Sequence, residues 1–155
     1  MPHILIIAYG NPLRSDDGVA WRAADALQGK FPKKNVEILR LHQLAPELAE
    51  TVRRFACVIF IDAGASAGNE PGHIACEEIS PSAAETRFSH QFSPAAVLAL
   101  AAQLYGSCPS AYSVTITGEN FNHGETLSAA VEQSLPAFVA RIAELIEAEL
   151  PKANS

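Results

Sequence analysis

A chain of 155 residues, of which 48% are hydrophobic and 18% charged, has the composition of a globular protein, and residues 1–155 are expected to form one domain. Its net charge of −6 argues against nucleic acid or a membrane as a partner. The three cysteines are odd in number and widely spaced, so they predict neither a disulfide framework nor a thiolate zinc site.

The first elements in chain order are a buried strand at residues 3–8 and a helix at 17–28. Neither a signal peptide nor a membrane-spanning run of apolar residues is recognisable, so a cytoplasmic location is expected. The remaining strands are predicted at residues 36–41, 57–61, 73–79 and 111–117. The remaining helices are predicted at 47–54, 94–105 and 126–149, with an irregular segment at 80–89 and a polar loop at 118–124.

Strands that alternate with helices predict an α/β fold, a three-layer α/β/α sandwich whose mostly parallel sheet has about five strands. The strand at 57–61 is apolar throughout and is expected to be central, whereas the strand at 36–41 is expected nearer an edge. Pro94 after Ser93 predicts a capped helix start. Pro136 is expected to kink the last helix or to split off its first turns.

The loop after the first strand carries an unusual acidic pair. Residues 10–18 read Gly-Asn-Pro-Leu-Arg-Ser-Asp-Asp-Gly, which contains no phosphate-binding glycine pattern. Adjacent carboxylates would repel a phosphate and attract a cation instead. Because neighbouring side chains at a helix start cannot both point into one site, Asp17 is expected to face the site. Asp16 is expected to cap the first helix or to orient the loop.

Two further residues fall on the same edge of the predicted sheet. Asp62 ends the central strand, and His90 precedes the helix that begins at Pro94. Ligands of open α/β sheets bind at the carboxyl ends of the strands, so Asp17, Asp62 and His90 are predicted to converge. Two carboxylates and an imidazole suit a divalent metal, such as nickel, zinc or cadmium, with positions left open. Taken separately, Asp17 could be a helix cap, Asp62 a solvated strand end and His90 a loop histidine bonded to the backbone.

These motifs resemble those of the hydrogenase maturation protease family. The resemblance rests on residues 10–18, on Phe-Ile-Asp-Ala at 60–63, and on Ser89-His90 followed by Ser93-Pro94. It implies an endopeptidase that removes the C-terminal extension of a nickel-iron hydrogenase large-subunit precursor after nickel insertion. The metal would be nickel carried by the substrate, with zinc or cadmium as replacements in vitro. The metal-contacting and catalytic residues would be Asp17, Asp62 and His90.

Supporting roles are expected for three more residues. Asp16 and Asn11 belong to the first loop, and His123 lies in the loop after the last strand, on the same sheet edge, where it could contact substrate. A non-catalytic, chaperone-like protein that docks the precursor remains an open alternative, whereas a receiver-like phosphoacceptor domain is disfavoured. A receiver needs a lysine near the end of the last strand, and residues 117–118 are Thr-Gly.

Overall fold

The computed structural model describes residues 3–82 and 92–153, which form an α/β fold. A 3₁₀ helix, Ser15–Gly18, precedes the first α-helix. The strands are β1 (Ile4–Tyr9), β2 (Val36–Leu41), β3 (Cys57–Gly64), β4 (Ile74–Glu78) and β5 (Ser110–Thr117). The α-helices are α1 (Val19–Leu27), α2 (Leu48–Val52), α3 (Pro94–Tyr105) and α4 (Ala129–Ala153).

The five strands form one sheet in the order β2-β1-β3-β5-β4. Neighbouring strands are parallel, except that β4 runs antiparallel to β5. The predicted mostly parallel sheet, its central β3 and its edge strand β2 are therefore confirmed. One boundary was wrong: β3 does not end at Asp62 but continues to Gly64, because Asp62 and Gly64 still pair with Thr115 and Thr117 of β5.

Side chains of the central strands alternate between two cores. In β1, Ile4 and Ile6 pack on one side of the sheet with buried residues of α1 and α4. Leu5 and Ile7 pack on the other side with buried residues of α2 and α3. All four β1 side chains are fully buried, as expected of a strand covered on both faces. The predicted three-layer sandwich is confirmed.

Helix α3 begins and ends where the sequence predicts. The Ser93 hydroxyl accepts a hydrogen bond from the Ala96 N–H at 3.1 Å, and Pro94 occupies the first turn. The helix ends before Gly106, which has a φ of 81°. Of the predicted irregular segment, residues 80–82 contain neither helix nor strand, and residues 83–89 lie outside the described residues.

Helix α4 is continuous through Pro136, so the predicted split was wrong. Proline removes the hydrogen bond to the carbonyl four residues earlier, here that of Glu132. Both Pro136 and Glu132 are exposed, and water can therefore serve the unpaired carbonyl. Val131 and Phe138, on either side of the proline, are fully buried and hold both parts of the helix against the sheet. No helix within residues 3–82 and 92–153 has the length and apolarity to cross a membrane.

Candidate active site

Asp17 and Asp62 line one cavity of about 410 Å³ at the carboxyl ends of the parallel strands. Asp17 follows β1 in the 3₁₀ helix, and Asp62 lies near the end of the adjacent strand β3. The two carboxylates are thus brought to one site by the pairing of β1 with β3. A second cavity, of about 310 Å³, lies near the β2 edge and contains neither carboxylate.

Asp17 is held by the backbone of its own loop. The Asn11 N–H donates to Asp17 Oδ2 at 2.7 Å, and the Asn11 side chain accepts from the Leu13 N–H at 2.9 Å. Gly10 allows this approach, because its φ is 147° and a Cβ there would collide with the Asp17 carbonyl oxygen. Asn11 also lines the cavity, so the structure places it beside Asp17, where a supporting residue was expected.

Asp62 is half-buried, and the Tyr9 hydroxyl and the Ala63 N–H are donors close to its carboxylate. Burial, followed by the negative charge of Asp17, raises the pKa of Asp62 to about 7, although these two donors lower it. Burial and the nearby Asp62 also raise the pKa of Tyr9, so its phenol remains a protonated donor at neutral pH. The cavity therefore holds one carboxyl group that titrates close to physiological pH.

This raised pKa predicts a pH-dependent cost to stability. The folded chain retains the Asp62 proton up to about pH 7, whereas the unfolded chain loses it near pH 4. Stability contributed by the protonated group should therefore decline as pH rises between those values.

In urea unfolding, Asp62→Asn should become more stable relative to wild type at pH 8 than at pH 5. Asp25→Asn, at an exposed ion pair with Arg40, should show no such trend. A pH-independent difference for Asp62→Asn would contradict the assignment.

The third predicted ligand, His90, lies outside the described residues, so the convergence of the trio remains a prediction. Within residues 3–82 and 92–153, no group of three or more histidine, cysteine and acidic residues could hold a metal ion. Asp17 and Asp62 supply two hard oxygen donors and would need further ligands. Phe92, two positions along the chain from His90, does line the cavity.

Asp16 is fully buried, and neither the 3₁₀ helix nor α1 has a side-chain cap at its start. Its Oδ2 accepts from the N–H groups of Glu119 and Asn120 at 2.8 and 2.9 Å. The Ser128 N–H donates to Oδ1 at 2.7 Å, and the Ser128 hydroxyl donates to Oδ2 at 2.8 Å. The cap prediction was wrong, because α1 begins at Val19, after the 3₁₀ helix. The alternative, that Asp16 orients the loop, is what the structure shows.

The hydrogen bonds of Asp16 join two distant loops. Burial alone would raise the pKa of Asp16, but the donors from Asn120, Glu119 and Ser128 outweigh it and lower the pKa below its usual value. The Asp16 and Ser15 N–H groups also donate to the carbonyls of Asn120 and Gly124. The first loop is thus fixed to the loop between β5 and α4, and the Asp16 carboxylate is committed to structure.

His123 belongs to that second loop, but the structure does not bring it into the site. Its side chain is exposed, and it is not among the described residues that line the cavity. The expected substrate contact of His123 therefore finds no support in the geometry of the described residues.

The cavity is lined by four polar side chains that the sequence motifs did not single out: Tyr9, Arg14, His42 and Gln43. The His42 ring lies edge-on to Trp21, with centroids 5.4 Å apart. Arg14 brings a guanidinium whose Nε donates to the Phe121 carbonyl at 3.3 Å. The sequence could have indicated His42 through the strand order, because β2 is parallel to β1 and both strands end at the same edge of the sheet.

The fold is that of solved structures of hydrogenase maturation proteases, which confirms the resemblance predicted from the motifs. Hydrogenase maturating endopeptidase HybD from E. coli is 26% identical, with a TM-score of 0.76 over 94% of this chain and 93% of that chain. No family model matches the chain, and no curated protein matches it in sequence.

Two archaeal structures share the fold at lower identity. The [NiFe] hydrogenase maturation protease HybD from Thermococcus kodakarensis is 22% identical, with a TM-score of 0.70 over 93% of this chain and 99% of that chain. The maturation protease HycI from Thermococcus kodakarensis KOD1 is 20% identical, with a TM-score of 0.74 over 94% and 92%. The likeness therefore extends over nearly the whole of each chain.

Proposed function

We propose that this protein is an endopeptidase that removes the C-terminal extension of the large-subunit precursor of a nickel-iron hydrogenase, in the cytoplasm. The observation that carries the proposal is the pair of carboxylates, Asp17 and Asp62, lining one cavity in a chain of this fold. The 26% identity to an endopeptidase of hydrogenase maturation supports the reaction class.

The cavity favours acid–base hydrolysis over a covalent mechanism. Among the described residues that line it there is no serine, threonine, cysteine or lysine that could act as a nucleophile. Asp62 has a pKa of about 7 before any metal binds, and next to a metal its carboxylate would be held deprotonated, as a base toward water. The absence of a lysine from this lining also disfavours the receiver-like alternative.

In this proposal, nickel belongs to the substrate, and Asp17, Asp62 and His90 recognise it in the precursor. Carboxylate and imidazole groups are suitable ligands for such a metal, and docking onto it would hold the scissile bond beside the carboxylates at high effective concentration. The metal would supply Lewis acidity toward the scissile carbonyl. Zinc or cadmium could occupy the same ligands in vitro.

Nickel recognition can be tested by comparing three substrates at equal enzyme concentration: nickel-loaded precursor, nickel-free precursor and casein. We expect only the nickel-loaded precursor to lose its C-terminal extension, as followed by intact-protein mass spectrometry. Cleavage of nickel-free precursor or casein at a similar rate would refute nickel recognition but leave the peptidase assignment standing. A precursor that binds the protein yet stays intact would instead support the docking-only alternative.

The two adjacent aspartates should respond differently to the same substitution. Asp17→Asn removes a charge that lines the cavity, whereas Asp16→Asn changes a buried side chain that faces the loop between β5 and α4. We expect Asp17→Asn to lower the cleavage rate more than Asp16→Asn, measured at a temperature where both variants are folded by circular dichroism. Equal losses in the two folded variants would contradict these roles.

A further inference from the structure

Both cavity carboxylates lie beside one short segment at the end of β1. The Asn11 N–H donates a hydrogen bond to Asp17 at 2.7 Å, and the Tyr9 hydroxyl lies near the Asp62 carboxylate in the same cavity. Only Gly10 separates the two donors, and its backbone is pressed against Asp17. The segment of Tyr9, Gly10 and Asn11 thus contacts both acidic groups and sets their relative position.

The position of Tyr9 follows from the strand pairing. Ala8 of β1 pairs with Ile61 of β3 in parallel register, so Tyr9 and Asp62 are the next residues along neighbouring strands. Tyr9 is the half-buried final residue of β1, and it lines the same cavity as Asp62. The Tyr9 phenol and the Asp62 carboxylate therefore line the cavity from adjacent strands.

Two carboxylates that share a cavity repel one another, and a carboxylate without a fixed donor can rotate away from its neighbour. A hydrogen bond to a charged acceptor is among the stronger ones in proteins and restricts the orientation of both groups. We propose that Tyr9 is a positioning residue, whose hydroxyl holds one oxygen of Asp62 so that the other faces the ligand in the cavity. The kinetic consequence of this inference rests on the proposed peptidase function.

The test compares Tyr9→Phe with a matched control, Tyr112→Phe. Tyr112 lies on β5, and its hydroxyl is likewise near a carboxylate, that of Glu149, but Tyr112 does not line the cavity. Each variant loses one hydroxyl near a carboxylate and keeps its ring. We expect Tyr9→Phe to lower kcat for the nickel-loaded precursor by about tenfold or more, with KM within about twofold. Tyr112→Phe should retain the kcat of wild type.

A second readout needs no substrate. In protein labelled with ¹³C at the aspartate carboxyl groups, the Asp62 resonance can be assigned from its loss in Asp62→Asn. It should shift in Tyr9→Phe and stay in place in Tyr112→Phe. Adding Tyr9→Phe to Asp62→Asn should cause no further loss of kcat, because Tyr9 acts through Asp62.

An unmoved Asp62 resonance, an unchanged kcat in Tyr9→Phe, or fully additive losses in the double variant would each overturn the inference. A wild-type protein that cleaves no precursor, but whose Asp62 resonance still moves in Tyr9→Phe, would overturn the peptidase assignment and support the positioning contact. The two failures are therefore distinguishable.

Discussion

Asp16→Ala is expected to lower the free energy of unfolding by about 3 kcal/mol, because a fully buried carboxylate is removed and its partly buried donors lose a charged acceptor. The substitution leaves the N–H groups of Glu119, Asn120 and Ser128 without their acceptor, in a region where Asp16 is fully buried. It also removes a negative charge from the start of α4, where it favours the helix dipole. Urea unfolding at pH 7 measures the difference.

Asp25→Ala is the matched control, because Asp25 is exposed and its ion pair with Arg40 should contribute little. The effect at Asp16 should also depend on pH. Its folded pKa is lowered, so its contribution is complete above the unfolded pKa of about 4 and is lost as pH falls through the folded value. A loss at Asp16 no greater than that at Asp25, or one that grows in acid, would contradict this account.

Asp62→Asn is expected to reduce cleavage of the nickel-loaded precursor by about 100-fold or more, the scale of a lost acid–base group. An amide keeps the shape of the side chain but can neither bind the metal as an anion nor accept a proton from water. Initial rates of precursor cleavage measure the effect.

The control for this loss of activity is the free energy of unfolding, which at pH 8 should be at least as high for Asp62→Asn as for wild type. The substitution removes a half-buried charge that faces Asp17, so global unfolding cannot explain an inactive variant. A folded Asp62→Asn protein that cleaves at the wild-type rate would remove Asp62 from the mechanism.

Elements whose signals are local were predictable from the sequence. The cap of α3 needs only Ser93 and Pro94, and the apolar run of β3 indicates a central strand without knowledge of its neighbours. Asp17 and Asp62 could be assigned to one edge because parallel strands bring their carboxyl ends together.

What the sequence did not predict depends on contacts between distant residues. The donors to Asp16 lie more than 100 positions away, at residues 119–128, so a local cap was the natural expectation. Nothing in the local sequence marks Tyr9 or His42 as part of a site. They line the cavity because of the register of β1 with its two neighbouring strands. The continuity of α4 through Pro136 depends on which face of the helix meets water.

The most direct test of the central claim is hydrolysis of nickel-loaded precursor in water enriched in ¹⁸O, followed by intact mass spectrometry of both products. The account predicts two fragments whose masses sum to that of the precursor plus one water, with ¹⁸O in the new carboxyl terminus of the large subunit. The Asp62→Asn protein, incubated in parallel, should leave the precursor whole. A precursor that keeps its full mass with folded wild-type protein would contradict the claim.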